Sequence, residues 1–290
     1  MSQKANILIT GATGNIGREL TRYLSQKAVP FRVMVRSRND IAELSALPGA
    51  DITEGNFNDP GSLENALKGI EKAFLLTNSS ELAEQQQSTF VDIAQKTGLK
   101  HMVKLSQWAA DIHSPVRFLR YHAAIENQIR ESGMAYTFLR PNLFMQGLLG
   151  FRETIIKKGQ FYGALGEAKI SVIDVRDIAA AAGEALTDSR HEGKTYNLTG
   201  PESLTHSQLA EKLSAATGRP VQFVDITPEM LRDILFSVGF PVWQADGLVE
   251  DYAHYKLGEA SEVQTGVKEA TGHEPRSFDS FAKDHAFLFS

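Results

Sequence analysis

The sequence predicts an α/β protein, a doubly wound parallel sheet with a smaller C-terminal α/β region. Three observations lead there. Short β-rich runs alternate with helical patterns through the first half of the chain, the rhythm of βαβ units. Most of those runs are nearly continuous in apolar residues, as strands covered on both faces must be. A glycine-rich turn, GATGNIG, joins the first run to a helix.

The expected strands are ANILIT, FRVMVR, ADITEG, KAFLLT, HMVKLS and AYTFLR, beginning near Ala5, Phe31, Ala50, Lys72, His101 and Ala135. Between them, SLENALKGI sets Leu63, Ala66, Leu67 and Ile70 on one helical face, with Asp59 and Pro60 as start signals. ELAEQQQSTFVDIAQKTG closes on Gly98, a C-cap residue. Right-handed crossovers favour the strand order 3-2-1-4-5-6.

After residue 142 the rhythm changes. DVRDIAAAAGEAL is a helix with a small-residue face, and LTHSQLAEKLSAATG is another, capped by Thr205 and Gly218. Val221–Ile226 reads as a strand, and RSFDSFAKDHAFLF as a final amphipathic helix. The expected division is residues 1–142 as a nucleotide-binding core and 143–290 as a substrate-binding region intertwined with it.

Composition narrows the function. The chain has 290 residues, 42% of them apolar, a net charge of −5 and no cysteine. Without a concentrated basic face, nucleic acid is not an expected partner. Without cysteine, disulfides, thiolate nucleophiles and Cys-ligated zinc are excluded. The eight histidines follow no H-E-x-x-H spacing, and no G-x-S-x-G elbow occurs, so neither a metal site nor a serine hydrolase is expected. The opening MSQKANILIT carries no signal-peptide or membrane-span pattern. A soluble cytoplasmic protein is the expectation, with monomer and homodimer both open.

Gly11, Gly14 and Gly17 follow the first strand and open a helix. That chemistry needs glycine three times: for the tight turn, for approach of backbone N–H groups to a pyrophosphate, and for close contact of helix and strand. The helix N-terminus adds amide donors and a favourable dipole. An NAD site carries a carboxylate about 20 positions past the glycines to accept the ribose hydroxyls. Here that position is Arg36, with Arg38 beyond it, and guanidinium groups suit a 2′-phosphate. The expected cofactor is NADPH.

These features resemble the short-chain dehydrogenase/reductase superfamily, and more closely its atypical NmrA-like branch. The likeness runs through TGATGNIG, VRSR, GNFNDPGSLENALKGI, ENQIRESGMAYTFLRPNLFMQ, ISVIDVRDIAAAA and YNLTGPESLT, and extends to bacterial triphenylmethane reductases and NADPH-dependent quinone oxidoreductases. It implies a Rossmann fold with a small C-terminal substrate region. It implies cofactor contacts at Thr10, Thr13, Asn15 and Ile16 in the glycine turn, and at Asn56 and Phe57 flanking adenine. Relatives often carry Asp where this chain has Asn56. It further implies contacts at Leu76, Thr77 and Asn78 near the adenine-side ribose, and at Ser106, Gln107, Pro141 and Asn142 around the nicotinamide.

The superfamily's proton donor is a Tyr-x-x-x-Lys dyad, followed in many extended members by a glutamate. Anchoring on Glu126 puts His122 in the lysine position and Phe118 in the tyrosine position; pairing Tyr121 with Ile125 is no better. An ordinary ketone would yield an alkoxide that a placed acid must neutralise. A quinone or a triaryl carbocation avoids that demand, so the expected acceptor is quinone-like or a cationic conjugated aromatic. His122, near its reference pKa of about 6.5, is a candidate catalytic hydrogen-bond donor.

Trp108, Phe144, Phe240, Trp243 and Tyr252 are candidates for an apolar lid over a planar substrate. Trp108 and Phe144 lead because they follow strands five and six, at the ligand-binding edge. Asp174 and Asp177 read as a helix cap, not a hydrolytic pair. The alternative function is a non-catalytic NADP(H)-binding redox sensor, since a glycine turn serves both.

Overall fold

The computed structural model describes residues 5–39 and 41–289. β1 (Ile7–Ile9) leads through the glycine turn into α1 (Asn15–Gln26). The alternation continues through β2 (Phe31–Val35), α2 (Ala42–Ser45), β3 (Ala50–Glu54), α3 (Pro60–Leu67), β4 (Lys72–Leu75) and α4 (Ala83–Lys96). Then come β5 (His101–Leu105), α5 (Arg117–Glu131) and β6 (Ala135–Pro141). A 3-10 segment (Met145–Phe151) precedes α6 (Arg152–Lys158), β7 (Gln160–Gly163), β8 (Lys169–Ile170), α7 (Val175–Thr187) and β9 (Lys194–Leu198). The remaining strands and α-helices are β10 (Leu204–Thr205), α8 (His206–Thr217), β11 (Gln222–Asp225), α9 (Pro228–Ser237), α10 (Val242–Lys256), α11 (Gly266–Thr271) and α12 (Phe278–His285).

The main sheet has the order β3-β2-β1-β4-β5-β6-β9. It is the expected doubly wound arrangement, extended by a seventh strand. β1 pairs in parallel with β2 and β4, and β2–β3, β4–β5 and β5–β6 are parallel as well. Their carboxyl ends therefore share one edge, where β1, β4 and β5 present the loops that the sequence singled out.

Capping chemistry sets several helix ends. The Asp59 carboxylate accepts from the Gly61 and Ser62 amides with Pro60 at the first helical position. Thr205 and Gln208 cap each other's backbone at the start of α8, which ends on left-handed Gly218. Asp174 accepts from the Arg176 amide at 2.9 Å and caps α7. Asp177 accepts from the Arg276 amide at 2.7 Å, so the two carboxylates have separate structural partners.

The chain divides into two compact units. Unit 1 comprises the described residues up to Ser106, Tyr121–Arg140 and Ile178–Tyr196; unit 2 comprises Gln107–Arg120, Pro141–Asp177 and Asn197 onward. In unit 1, Leu8, Met34, Leu75, Met102 and Phe138 from the sheet pack with Leu63, Leu67, Phe90, Ile125 and Ile129 from α3, α4 and α5. Each such side chain contributes about 1.5–3 kcal/mol on burial. Gly183 on α7 is occupied by the Tyr23 ring of α1, where a methyl group would collide. Unit 2 has its own core around Phe161, Leu165, Val172, Leu213, Phe278 and Phe281. Among the described residues no helix is long and apolar enough to cross a membrane.

Candidate functional site

The glycine turn of unit 1 is built by exclusion of side chains. Gly11 has φ +65°, a left-handed conformation that favours glycine. At Gly17 a methyl group would collide with the Gly11 carbonyl and the Ala12 Cα; at Gly14 it would meet only the Gly11 oxygen, at 3.4 Å. Thr10, fully buried, fastens the turn to the loop after β4. Its Oγ1 accepts from the Leu76 amide at 2.8 Å and faces the Phe74 and Leu76 carbonyls at 3.0 Å. Gly14 is the N-cap of α1, and no side chain caps that end. Thr13, Gly14 and Asn15 are exposed, while Ile16 and Gly17 are buried. An open backbone cradle on an uncapped 12-residue helix fits an anionic pyrophosphate.

The two arginines expected at the adenine ribose differ. Arg36 is exposed and forms no ion pair among the described residues. Arg38 is tied back to β3, donating to Glu54 at 3.2 Å and to the Ile52 carbonyl at 3.1 Å. Arg36 is therefore the guanidinium available to a phosphate. Asn56 accepts from the Asn58 amide at 3.0 Å, and the Phe57 ring rests on Phe90 at 5.6 Å. Thr77 accepts from Gln87 at 2.7 Å, and Asn78 is exposed.

Unit 1 also buries a charged cluster. Glu126, fully buried, accepts from Ser106 Oγ at 2.6 Å and from Arg140 Nε and Nη2 at 2.8 and 2.6 Å, with Arg130 at 3.1 Å. Beside it lies Lys104 of β5, also fully buried. Its Nζ donates to the Leu105 carbonyl at 2.9 Å and is 2.8 Å from His122 Nδ1. Burial lowers the Lys104 pKa to about 7; Glu126 opposes that shift and Arg140 adds to it. The expectation of a His122 imidazole near 6.5 does not hold. Burial first, then the charges of Lys104 and Arg140, hold it well below that value. The ring is neutral at physiological pH and lies 4.2 Å from that of Tyr121, whose hydroxyl meets Ser79 Oγ at 3.1 Å. Sequence reasoning passed over Lys104, although a lysine inside the apolar run HMVKLS is itself a signal.

Unit 2 holds the other predicted residues. Gln107 Nε2 donates to both oxygens of buried Asp251 at 3.0 and 2.8 Å, and Tyr255 donates to the same carboxylate at 3.3 Å. With no cation among those partners, burial pushes the Asp251 carboxyl up to about 7. The Asn142 side chain is fully engaged: it donates to Ser171 Oγ and the Ala260 carbonyl, both at 2.8 Å, and accepts from the Leu143 amide. Pro141 accepts from the Trp108 amide at 2.9 Å. The Trp108 indole donates to the Glu259 carbonyl at 2.8 Å, and the residue belongs to the buried core. Phe118 packs on Trp243 with ring centroids 5.3 Å apart. Phe144 lines a cleft of about 60 Å³ together with Phe151, Phe161, Tyr162, His206 and Tyr252. Phe144 and Tyr252 thus share an apolar opening, whereas Trp108 supports the core.

Comparison with known proteins agrees with this construction. The NmrA-like family matches residues 3–281. The chain is 40% identical over 283 residues to an NAD(P)H azoreductase of Xenophilus azovorans, covering 98% of this chain and 99% of that one. It superposes on the NADPH-dependent quinone oxidoreductase QOR2 of Escherichia coli complexed with NADPH, with a TM-score of 0.85 and 29% identity, covering 97% and 99%. It also superposes on the Citrobacter sp. triphenylmethane reductase complexed with NADP(H), with a TM-score of 0.84 and 27% identity, covering 97% and 99%.

Two stability predictions follow from the site geometry. Gly17→Ala forces backbone apart and lowers unfolding stability by about 1–3 kcal/mol, whereas Gly14→Ala changes it by less than about 1 kcal/mol; urea melts of the two variants check this. For Asp251, the native state keeps a proton that the unfolded chain releases, because the carboxyl rises from 3.8 to about 7 on folding. Its contribution to stability therefore falls as pH rises from about 4 to 7 and is constant above that window. Asp251→Asn should be more stable than the parent at pH 8 by up to roughly 4 kcal/mol, with the difference shrinking toward pH 4. Thermal melts across that range measure it.

Proposed function

We propose that this chain, which belongs to the NmrA-like family, is an NADPH-dependent oxidoreductase that reduces quinone-like or dye-like conjugated acceptors. The observation that carries the reading is the uncapped N-terminus of α1 behind a glycine turn with no room for side chains. Relatives matched end to end support it: one is an NAD(P)H azoreductase, and another is an NADPH-dependent quinone oxidoreductase.

We assign the pyrophosphate to the backbone of Gly11–Gly17, the adenine side to Asn56, Phe57, Leu76, Thr77 and Asn78, and the 2′-phosphate to Arg36. Ser106, Gln107, Pro141 and Asn142 are assigned to the nicotinamide side. The side-chain hydrogen bonds of Ser106, Gln107 and Asn142 to Glu126, Asp251 and Ser171 make those three supports of the loop backbone more than free donors. The bound cofactor supplies hydride. Unit 2 is assigned the acceptor, on its aromatic-lined cleft. At about 60 Å³ the cleft is well below the roughly 300–1,000 Å³ of ligand sites. A ring system enters only as Phe144, Phe151 or Tyr252 moves aside.

The acceptor class comes from the proton economy of the site. In the register of the superfamily's dyad stand Phe118, which has no proton to give, and His122, which is neutral. A carbonyl that becomes an alkoxide needs a stronger acid than these. A quinone carries the added charge as a delocalised hydroquinone anion, and a triaryl cation is neutralised by hydride alone.

Purified protein should oxidise NADPH when given menadione, an azo dye or malachite green. Tight NADPH binding with turnover of none of them would instead indicate a nucleotide sensor. Arg36→Glu should raise the KM for NADPH about ten- to a hundredfold, the value of one charge-assisted hydrogen bond, while the KM for NADH changes little. Equal changes for both cofactors would remove Arg36 from the phosphate.

A further inference from the structure

His206 sets a polar ring in the wall of the apolar cleft of unit 2. It is the first residue of α8, held there by the reciprocal cap of Thr205 and Gln208. Only 4% of its surface is exposed. Its Nδ1 is buried without a partner, and neither ring nitrogen makes a hydrogen bond among the described residues. Phe161, Phe223 and Tyr252 surround the imidazole with ring centroids 5.9, 5.1 and 6.3 Å away. Aromatic faces replace a hydrogen bond only weakly, and a buried polar atom without a partner is destabilising.

Tyr252, which lines the same cleft, is in a similar position: its hydroxyl makes no hydrogen bond among the described residues. The third polar ring of the lining, Tyr162, donates to Gln160 at 3.1 Å. None of the described residues that line the cleft carries a charge. Burial lowers the His206 pKa to about 4, against the charge of Asp225, and raises that of Tyr252 to about 12, with Asp251 adding to the rise. Both rings are therefore neutral donors at physiological pH, and the charges that reach them come from carboxyl groups.

We propose that His206 and Tyr252 are the specificity-determining residues of the acceptor cleft: they donate to a carbonyl oxygen or azo nitrogen of an uncharged planar ring, and the cleft rejects anions. This deepens the acceptor assignment above and rests on it, and every residue involved belongs to unit 2. A quinone oxygen or an azo nitrogen has lone pairs and no proton, so it takes what an imidazole N–H and a phenol O–H supply. The ring behind it exchanges water for aromatic and aliphatic side chains. A hydrocarbon of the same shape gains that burial but leaves both donors unpaired. An anion loses its hydration where no ammonium or guanidinium replaces it, and Asp225 and ionised Asp251 repel it.

Three ligands of similar size separate these effects in equilibrium dialysis of the whole chain at pH 7, with and without NADP+. Menadione has two carbonyls and no charge, 2-methylnaphthalene has no carbonyl, and 2-hydroxy-1,4-naphthoquinone is an anion at that pH. The chain has no cysteine to trap a quinone covalently. Menadione should bind the parent at least tenfold more tightly than the anion. In His206→Phe, which keeps an aromatic ring against Phe161 and Phe223, the ratio of menadione to 2-methylnaphthalene affinity should fall about threefold or more, the value of one neutral hydrogen bond. Tyr252→Phe should lower the same ratio by a similar factor. It removes one oxygen that holds no other described residue, so it decides the matter even if His206→Phe does not fold. An unchanged ratio in either folded variant overturns the proposal, as does an anion bound as tightly as menadione or a parent that does not bind menadione. NADPH oxidation by menadione is assayed alongside. Its absence with the binding preferences intact removes the oxidoreductase reading and leaves the selectivity of the cleft standing; turnover with unchanged ratios overturns this proposal alone.

Discussion

A single close approach of backbone to backbone underlies the amino-terminal unit. Gly17, in the first turn of α1, leaves no space for even a methyl group against the Gly11 carbonyl. That contact draws the helix start up to the end of β1, and Thr10 locks the turn to the loop after β4. A side chain at Gly17 would push the two apart, and a capping side chain would occupy the amides that the helix presents. The requirement of packing and the requirement of anion binding are thus met by the same missing atoms.

The chain handles buried charge in two ways. Glu126 is conventional: two arginines and a serine hydroxyl satisfy it, and replacing one partner would leave an expensive uncompensated charge. Lys104 and Asp251 are not. Each is buried beside neutral partners, His122 and a carbonyl in one case, Gln107 and Tyr255 in the other. Burial therefore shifts both toward the neutral form, to about 7. Well-packed apolar residues would cost less at either position.

Much of the architecture could be read from residue pattern. The apolar runs marked β1–β6 because strands buried on both faces need them, and Asp59, Thr205 and Gly218 announced their helix ends through local chemistry. β9 escaped notice because KTYNL is mostly polar, with only Tyr196 and Leu198 buried, a weak signal without its neighbour. The site was less legible where partners are distant along the chain. Arg36 and Arg38 look equivalent in VRSR, yet the β2–β3 register sets Glu54 opposite Val35 and draws Arg38 away. His122 could be found by its place in a motif. Its neutral state could not, since that depends first on its burial in the folded chain and then on the charges of Lys104 and Arg140 from other elements. Asn142 and Ser106 were legible as loop positions, but their commitments to Ser171 and Glu126 needed the folded chain.

The central claim is that the uncapped start of α1 and Arg36, which forms no ion pair among the described residues, hold a phosphorylated dinucleotide. Titrating isotopically labelled protein with NADPH and with NADH, while following the backbone amides of Gly11, Gly14 and Gly17, tests it most directly. The account predicts saturable shifts at these glycines and at least tenfold tighter binding of NADPH. Absence of shifts at the turn at millimolar cofactor, or equal affinity for the two dinucleotides, would contradict it.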